Sequence, residues 1–283
     1  LRRSTGNDQI FARIELEKKG FKQMATVTLT RPLRMLFFEP IVSATSIYLS
    51  LIYGIFFMYF EAYPIVYQGI YKMSPGIAGL MFLPILPGSA FAMFLFMYYD
   101  TFLRNAQRQN KAWAQREEAR RLPLACLAGP FLVVALFWLG WTAREGIPFY
   151  VPMLAGLPFG MAFTMLFITL INYLTDHYEI FAASALAASS CSRSVAGAVL
   201  PFATNPMYGN LGVAWASSLL AFLSLGMCAI PFIFLWKGDM LRARSKFCIY
   251  LKENKAKEQA ELARERLHSS RAAQPTEHAV EKV

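Results

Sequence analysis

Arg193 stands inside the run ASALAASSCSRSVAGAVLPFAT, about eleven residues beyond Ala182. A helix rising 1.5 Å per residue would carry it ~16 Å from that end. A guanidinium at the centre of a membrane-spanning helix costs at least ~2.5 kcal/mol on insertion scales, and from this depth it cannot easily reach the interface. Two chemistries fit: a cation facing a water-filled path for substrate or protons, or one half of an ion pair that fixes helix packing. No Asp or Glu of this sequence lies at a matching depth. Glu61 is near the outer end of the first apolar run, and Asp176 and Glu179 are at the opposite ends of the fourth and fifth. A partner for Arg193 is therefore expected from the substrate or from chain beyond this sequence.

Other polar side chains within apolar runs point the same way. Glu61 and Tyr63 share the run MYFEAYPIVYQGIY, where an acid among aromatics suits a cationic or aromatic substrate at the outer mouth of a cavity, or simple solvation. Ser43, Thr45, Ser46 and Ser50 mark one side of the first run; Thr164, Thr169 and Asn172 mark the fourth, and Ser184, Ser189, Ser190 and Ser192 the fifth. Polar groups in hydrocarbon turn toward protein or water, so these three runs are expected to line a cavity. The third and sixth, almost free of strong polarity, are expected to face lipid. Tyr173, Asp176 and His177 fall at a helix end, where capping the fifth helix or gating is expected of Asp176 rather than catalysis. Neither a His-rich cluster nor a paired intramembrane carboxylate is present, so no metal, cofactor or enzymatic activity is expected.

The elements that must position these residues are all helical. With 56% hydrophobic residues, 16% charged residues, 24 Phe among 283 residues and a mean hydropathy of +0.37, the chain is too apolar for a soluble domain. A disordered regulator is excluded on the same ground. Cys126, Cys191 and Cys228 lie within apolar runs and Cys248 in a basic tail, which argues against a disulfide framework. Six runs approach the roughly 20 residues that a crossing needs: 40–59, 76–99, 122–141, 148–171, 182–204 and 211–236. They lack the two-residue alternation of barrel strands. The fold class is all-α, a polytopic membrane bundle of six helices between a cytoplasmic segment 1–39 and a charged cytoplasmic tail 237–283. Pro84 and Pro87, Gly156, Pro158 and Gly160, and Gly197 and Pro201 predict kinks and close helix contacts of the kind that moving bundles use. A 3+3 arrangement of inverted repeats is compatible with the hydropathy.

Charge orients the bundle. The net charge of +10 would suit a nucleic-acid partner, but the basic residues sit between and beyond the apolar runs, so no such partner is expected. Eight Lys/Arg precede residue 40, six lie in 100–121 and eleven follow from Lys237, whereas Lys72 and Arg144 alone occupy the remaining loops. The positive-inside rule then places both ends and the 100–121 loop in the cytoplasm. Residues 10–24 suggest a short helix resting at the membrane. The first residue is Leu1 rather than Met, as expected of a segment of a longer polypeptide.

Several runs together carry a resemblance: LTRPLRMLFFEPI (29–41), Tyr53-Gly54-Ile55, FEAYPIVY (60–67), NYLTDHY (172–178), AASALAA (182–188), RSVAG (193–197) and LGVAWA (211–216). From about Arg2 to Lys252 the chain resembles the C-terminal six-helix half of fungal major facilitator drug:proton antiporters. The resemblance implies twelve helices in two halves, a small organic substrate bound between them and protons as the coupled ion. It also implies a plasma-membrane location, or a vacuolar one. The missing partner would be an N-terminal six-helix half, or a second copy of this chain. Drugs, polyamines and secondary metabolites all fit as cargo. A half that transports nothing alone, a membrane enzyme and a six-helix channel are the alternatives.

Overall fold

The computed structural model describes residues 21–115 and 120–244 together with Ile249, with side chains described from Thr30 onward save for a few positions. Most of the expected 10–24 helix and of the charged tail lies outside these residues. Among the described residues the chain is helical, without strands. Helix α1 (Phe21–Phe38) leads into α2 (Pro40–Pro64), which a π-helical turn extends over Ile65–Ile70. There follow the short α3 (Pro75–Leu80), then α4 (Ile85–Arg108), α5 (Leu122–Thr142), the short α6 (Tyr150–Leu154), α7 (Gly156–Tyr178), α8 (Ala182–Val199) and α9 (Thr204–Arg244).

Local chemistry sets the helix ends. Pro40 and Pro75 each open a helix behind an extended residue, Glu39 and Ser74, because proline is compatible with the first turn and disfavours helical backbone in the residue before it. Pro64 lacks the N–H that the ladder of α2 needs, and the chain beyond it widens into the π-turn. The second apolar run is broken at Met81–Pro84, so that α3 and α4 are separate helices. Within α9, Gly212 adopts φ 72°, ψ 165°, a conformation open almost solely to glycine, and bends the helix there.

Four continuous helical stretches are long and apolar enough to cross a membrane: Pro40–Ile70, Pro75–Arg108, Leu122–Thr142 and Tyr150–Gly238. The last contains α6 to α9. It turns at Glu179–Phe181 and runs through the 3₁₀ turn Leu200–Ala203 alongside α2 as far as Tyr208, which packs with Ala62. It then reverses at Gly212, so that Cys228 meets Tyr48 and Phe234 meets Tyr173. In the packed bundle α2 lies on α8, α4 on α7 and α5 on α9, with α7 also against α5 and α9 against α2. Exchanging the first long trio (α2, α4, α5) for the second (α7, α8, α9) converts the α2–α8 pair into α7–α4 and returns α5–α9 to itself. The pairing thus has an internal two-fold pattern although the two trios share no visible sequence repeat.

Burial divides the third run into two faces. Helix α5, expected to face lipid, is buried on one side against α7 and α9 and leaves the apolar strip Leu127, Pro130, Phe131, Val134, Trp138 and Trp141 exposed on the other. The least covered long helix is α4, with Leu86, Phe91, Phe94, Met97 and Tyr98 open. Uniform apolarity says that a helix avoids water, not whether lipid or protein covers it.

Tyrosines dominate the interior. Tyr48, Tyr59, Tyr63, Tyr67, Tyr173 and Tyr178 are among the largest fully buried side chains. Several hydroxyls meet a partner, as burial demands: Tyr59 and Tyr63 share a 3.0 Å hydrogen bond, and Tyr208 reaches Ser217 at 3.3 Å.

Candidate functional site

The middle of the α2–α7–α8 packing is an aromatic wall. Phe159, Phe163 and Phe167 recur every four residues and share one face of α7, while Tyr53, Phe56, Phe57 and Phe60 do the same on α2. Phe56 stacks on Phe163 with centroids 4.4 Å apart, Tyr59 on Phe159 at 3.8 Å, and Phe163 on Phe167 at 5.4 Å. Above them Tyr63 stacks on Phe82 at 4.2 Å and continues through Tyr67 to Tyr71. The Tyr71 hydroxyl donates to the backbone carbonyls of Arg144 and Ile147 at 3.1 and 2.9 Å, and partial burial raises its pKa. Tyr53, Phe56, Phe163 and Phe167 are only half-buried, and Phe57 and Phe60 are exposed, so the wall has an open side.

Arg193 ends this wall. Its Cζ lies 4.6 Å from the Phe167 centroid, and Tyr53 is 6.3 Å from the same ring. The Nη1 atom is buried and has no hydrogen-bond partner among the described residues. Next to it, Ser192 bonds Ser50 at 2.8 Å and pins α8 to α2. Ser189, one turn from Arg193 on the same face, is buried, and its hydroxyl has no partner among the described residues; Thr45, Ser46 and Thr169 are in the same condition on α2 and α7.

The remaining expected residues separate into three places. Glu61 is exposed and lies eight residues from Tyr53, about 12 Å along α2, so it does not meet Arg193. Glu61 and Tyr63 lie in the last turn of α2, which the π-turn Ile65–Ile70 then extends. Asn172 is half-buried on α7, five residues beyond Phe167, about 7.5 Å along the axis. Tyr173 is buried elsewhere, stacked 5.6 Å from Phe234 of α9, with the ring of His177 tilted against it at 4.2 Å.

Asp176 does not cap the next helix: α8 has no side-chain cap, and Asp176 instead accepts a 3.0 Å bond from Arg121 at the start of α5. Arg121 also lies 5.6 Å over Phe96 of α4, and close by Tyr178 donates to the buried Glu39 at 3.2 Å. Sequence reasoning missed this end cluster, since nothing local announces a pairing between residues 55 or 139 positions apart.

The glycines mark backbone contact. A Cβ on Gly160 would strike the carbonyl of Ile85, and one on Gly88 that of Leu157, so α4 and α7 touch reciprocally. Gly156 leaves room for the Tyr63 hydroxyl, where a Cβ would stand 3.2 Å away. On the α2–α8 pair, Gly197 accommodates Tyr53 at 2.8 Å and Gly54 accommodates Leu200. Pro201 opens the 3₁₀ turn that ends α8. Among the described residues no group of three or more His, Cys, Asp or Glu is placed to hold a metal ion.

Membrane-length helices with a half-buried guanidinium at the end of an aromatic wall define an integral membrane protein. The chain is 41% identical over 234 residues to the MFS-type efflux pump MFS2 of Trichophyton rubrum, and 40% identical over the same length to the major facilitator superfamily multidrug transporter mdrA of Aspergillus fumigatus. Each match covers 83% of this chain but only 39% and 38% of the relative. A Citrinin biosynthesis cluster MFS transporter of Monascus ruber is 39% identical over 87% of this chain and 49% of its own length. No family model matches the chain and no solved structure does. The chain belongs to the major facilitator superfamily; the relatives it matches are fungal proteins named as efflux pumps and multidrug transporters, and it spans about two fifths of the length of the first of them.

Proposed function

We propose that this chain is the C-terminal half of a proton-coupled antiporter that exports small organic compounds, and that it acts as a transporter rather than as an enzyme. The observation that carries the reading is Arg193 at the edge of a half-open aromatic wall in mid-helix, a setting that suits a substrate with an apolar body and a polar group. Kinship with named efflux pumps supports export. Six crossings, at 40–59, 76–99, 122–141, 148–171, 182–204 and 211–236, connect 1–39 and the tail 237–283, both cytoplasmic by the distribution of Lys and Arg. The plasma membrane is the proposed location. The other wall of the cavity is supplied by a second six-helix unit, in the same polypeptide or in a second copy. Alternating access proceeds by rocking on the glycine contacts of α4–α7 and α2–α8, with Glu61 at the outward opening and Asp176 at the cytoplasmic end. Proton coupling is carried over from the resemblance.

A narrower reading, export of a secondary metabolite, is favoured by the kinship with a transporter named for citrinin biosynthesis. The test is accumulation in a yeast strain lacking its own efflux pumps, expressing the full-length protein that carries this sequence. The expected result is lower steady accumulation of planar aromatic compounds, reversed by a protonophore. Unchanged accumulation across a panel of such compounds, with the protein at the cell surface, would overturn the proposal. An antibody to 237–283 should in addition detect a polypeptide about twice the 31.9 kDa of this chain in source membranes.

A further inference from the structure

The environment of Arg193 constrains the sign of the cargo's charge. The ring of Phe167 attracts the cation through its face, but the N–H donors of a guanidinium lie in its own plane, where a ring offers no acceptor. Nη1 is buried without a hydrogen-bond partner, and the ion pairs among the described residues are Arg104–Asp100 and Arg121–Asp176, both away from it. The exposed carboxylate nearest along α2, Glu61, is about 12 Å from the level of Tyr53. One turn from Arg193, on the same face of α8, the Ser189 hydroxyl is likewise buried and unpartnered. Arg193 as a whole is only half-buried, so part of its side chain stays accessible beside this buried nitrogen, and an acceptor that reached the guanidinium would relieve the cost of the unpaired donor.

The surroundings say what that acceptor is attached to. Phe167, Phe163 and Phe56 form a continuous stack, with Tyr53 tilted against one end, and these rings are only half-buried. A planar molecule can extend the stack while its carboxylate takes the fork of Arg193, the geometry for which guanidinium is suited and ammonium is not. A planar cation in the same place would meet an unneutralised like charge. We infer that Arg193 is the anion-binding end of the substrate site, and that the compounds moved are aromatic carboxylates in preference to aromatic cations. This rests on the transporter reading given above and adds the substrate class.

The experiment compares two dyes built on one xanthene ring system, the carboxylate fluorescein and the cation rhodamine 6G, in the full-length protein expressed in efflux-deficient yeast. Fluorescein should be exported faster. Arg193→Gln should lower fluorescein efflux by roughly ten- to hundredfold, the loss of a hydrogen bond to a charged group, and shift the ratio of the two dyes toward rhodamine. Arg193→Lys should fall between, retaining the charge without the fork. Equal loss of both dyes in Arg193→Gln, or no loss of either, would overturn the assignment, the former pointing to a carboxylate of the second half as the true partner.

A second arm needs no variant. On the unaltered protein 2-naphthoate should compete with fluorescein at least about tenfold better than its methyl ester, and equal competition would overturn the assignment. Export of rhodamine 6G without fluorescein leaves transport standing and removes the anion. Export of neither dye removes the transport reading itself, and this inference with it.

Discussion

Gly160 of α7 lies so close to Ile85 of α4 that a side chain on the glycine would overlap the Ile85 carbonyl oxygen. Gly88 returns the contact against the carbonyl of Leu157. Backbone cannot rotate away as a side chain can, so neither position tolerates a methyl without separating the helices. Gly160→Ala and Gly88→Ala are each expected to destabilise by about 1–3 kcal/mol, the usual range for forcing extra volume into a packed contact. Gly54→Ala is the internal comparison, because its methyl would meet the flexible end of Leu200 instead. Melting of the purified protein in detergent should rank Gly54→Ala closest to the parent and the two α4–α7 variants well below it. Equal melting of all three would mean that α4 and α7 do not touch through backbone.

The paired hydroxyls of Tyr59 and Tyr63, 3.0 Å apart and fully buried, predict a non-additive series. Either single change to Phe strands one hydroxyl without its partner and should cost about 1–3 kcal/mol, whereas removing both hydroxyls leaves nothing unpaired. The double variant should therefore be more stable than the sum of the singles by at least about 1 kcal/mol. Strict additivity in denaturation would show that the two hydroxyls find other partners.

How much of this arrangement the sequence reveals depends on the range of the interaction. Helix starts at Pro40 and Leu122 can be read directly, because proline just inside a helix leaves a local mark. The end of α2 cannot: hydropathy falls near Tyr59, while the hydrogen-bond ladder, once widened after Pro64, continues to Ile70. The Phe159, Phe163, Phe167 spacing is visible in the sequence, yet its meaning depends on the opposing face of α2, which only packing supplies. Arg193 is legible because a charge in an apolar run is costly wherever the helix points. What it faces is not legible, and neither is the link between Arg121 and Asp176, two residues that look like ordinary loop charges until α5 and α7 are laid side by side.

That link gives a third prediction. The Arg121 and Asp176 side chains are 17% and 35% exposed, so the pair is partly shielded and its coupling should be about 0.5–1 kcal/mol, the upper part of the range for exposed pairs. A double-mutant cycle with Arg121→Gln and Asp176→Asn should return that coupling in stability, diminished in high salt. The charge reversal Arg121→Asp with Asp176→Arg should recover part of it. A coupling of zero at low salt would remove the contact from any account of this end of the bundle.

Gly212 supplies the last test, and it separates conformation from packing. A Cβ there would meet nothing within 4 Å, so space is no obstacle to a side chain. The obstacle is the backbone, held at φ 72° and ψ 165°, a region that costs a residue other than glycine about 1–3 kcal/mol. Gly212→Ala should therefore lower the melting temperature although no neighbour is touched, while Gly209→Ala, three residues earlier in the same helix with equally open space and no such backbone strain, should be neutral or slightly stabilising. If Gly212→Ala were as stable as the parent, the chain would have to reverse at this point through another backbone geometry without penalty, and hydrogen exchange across residues 208–216 would report that rearrangement directly.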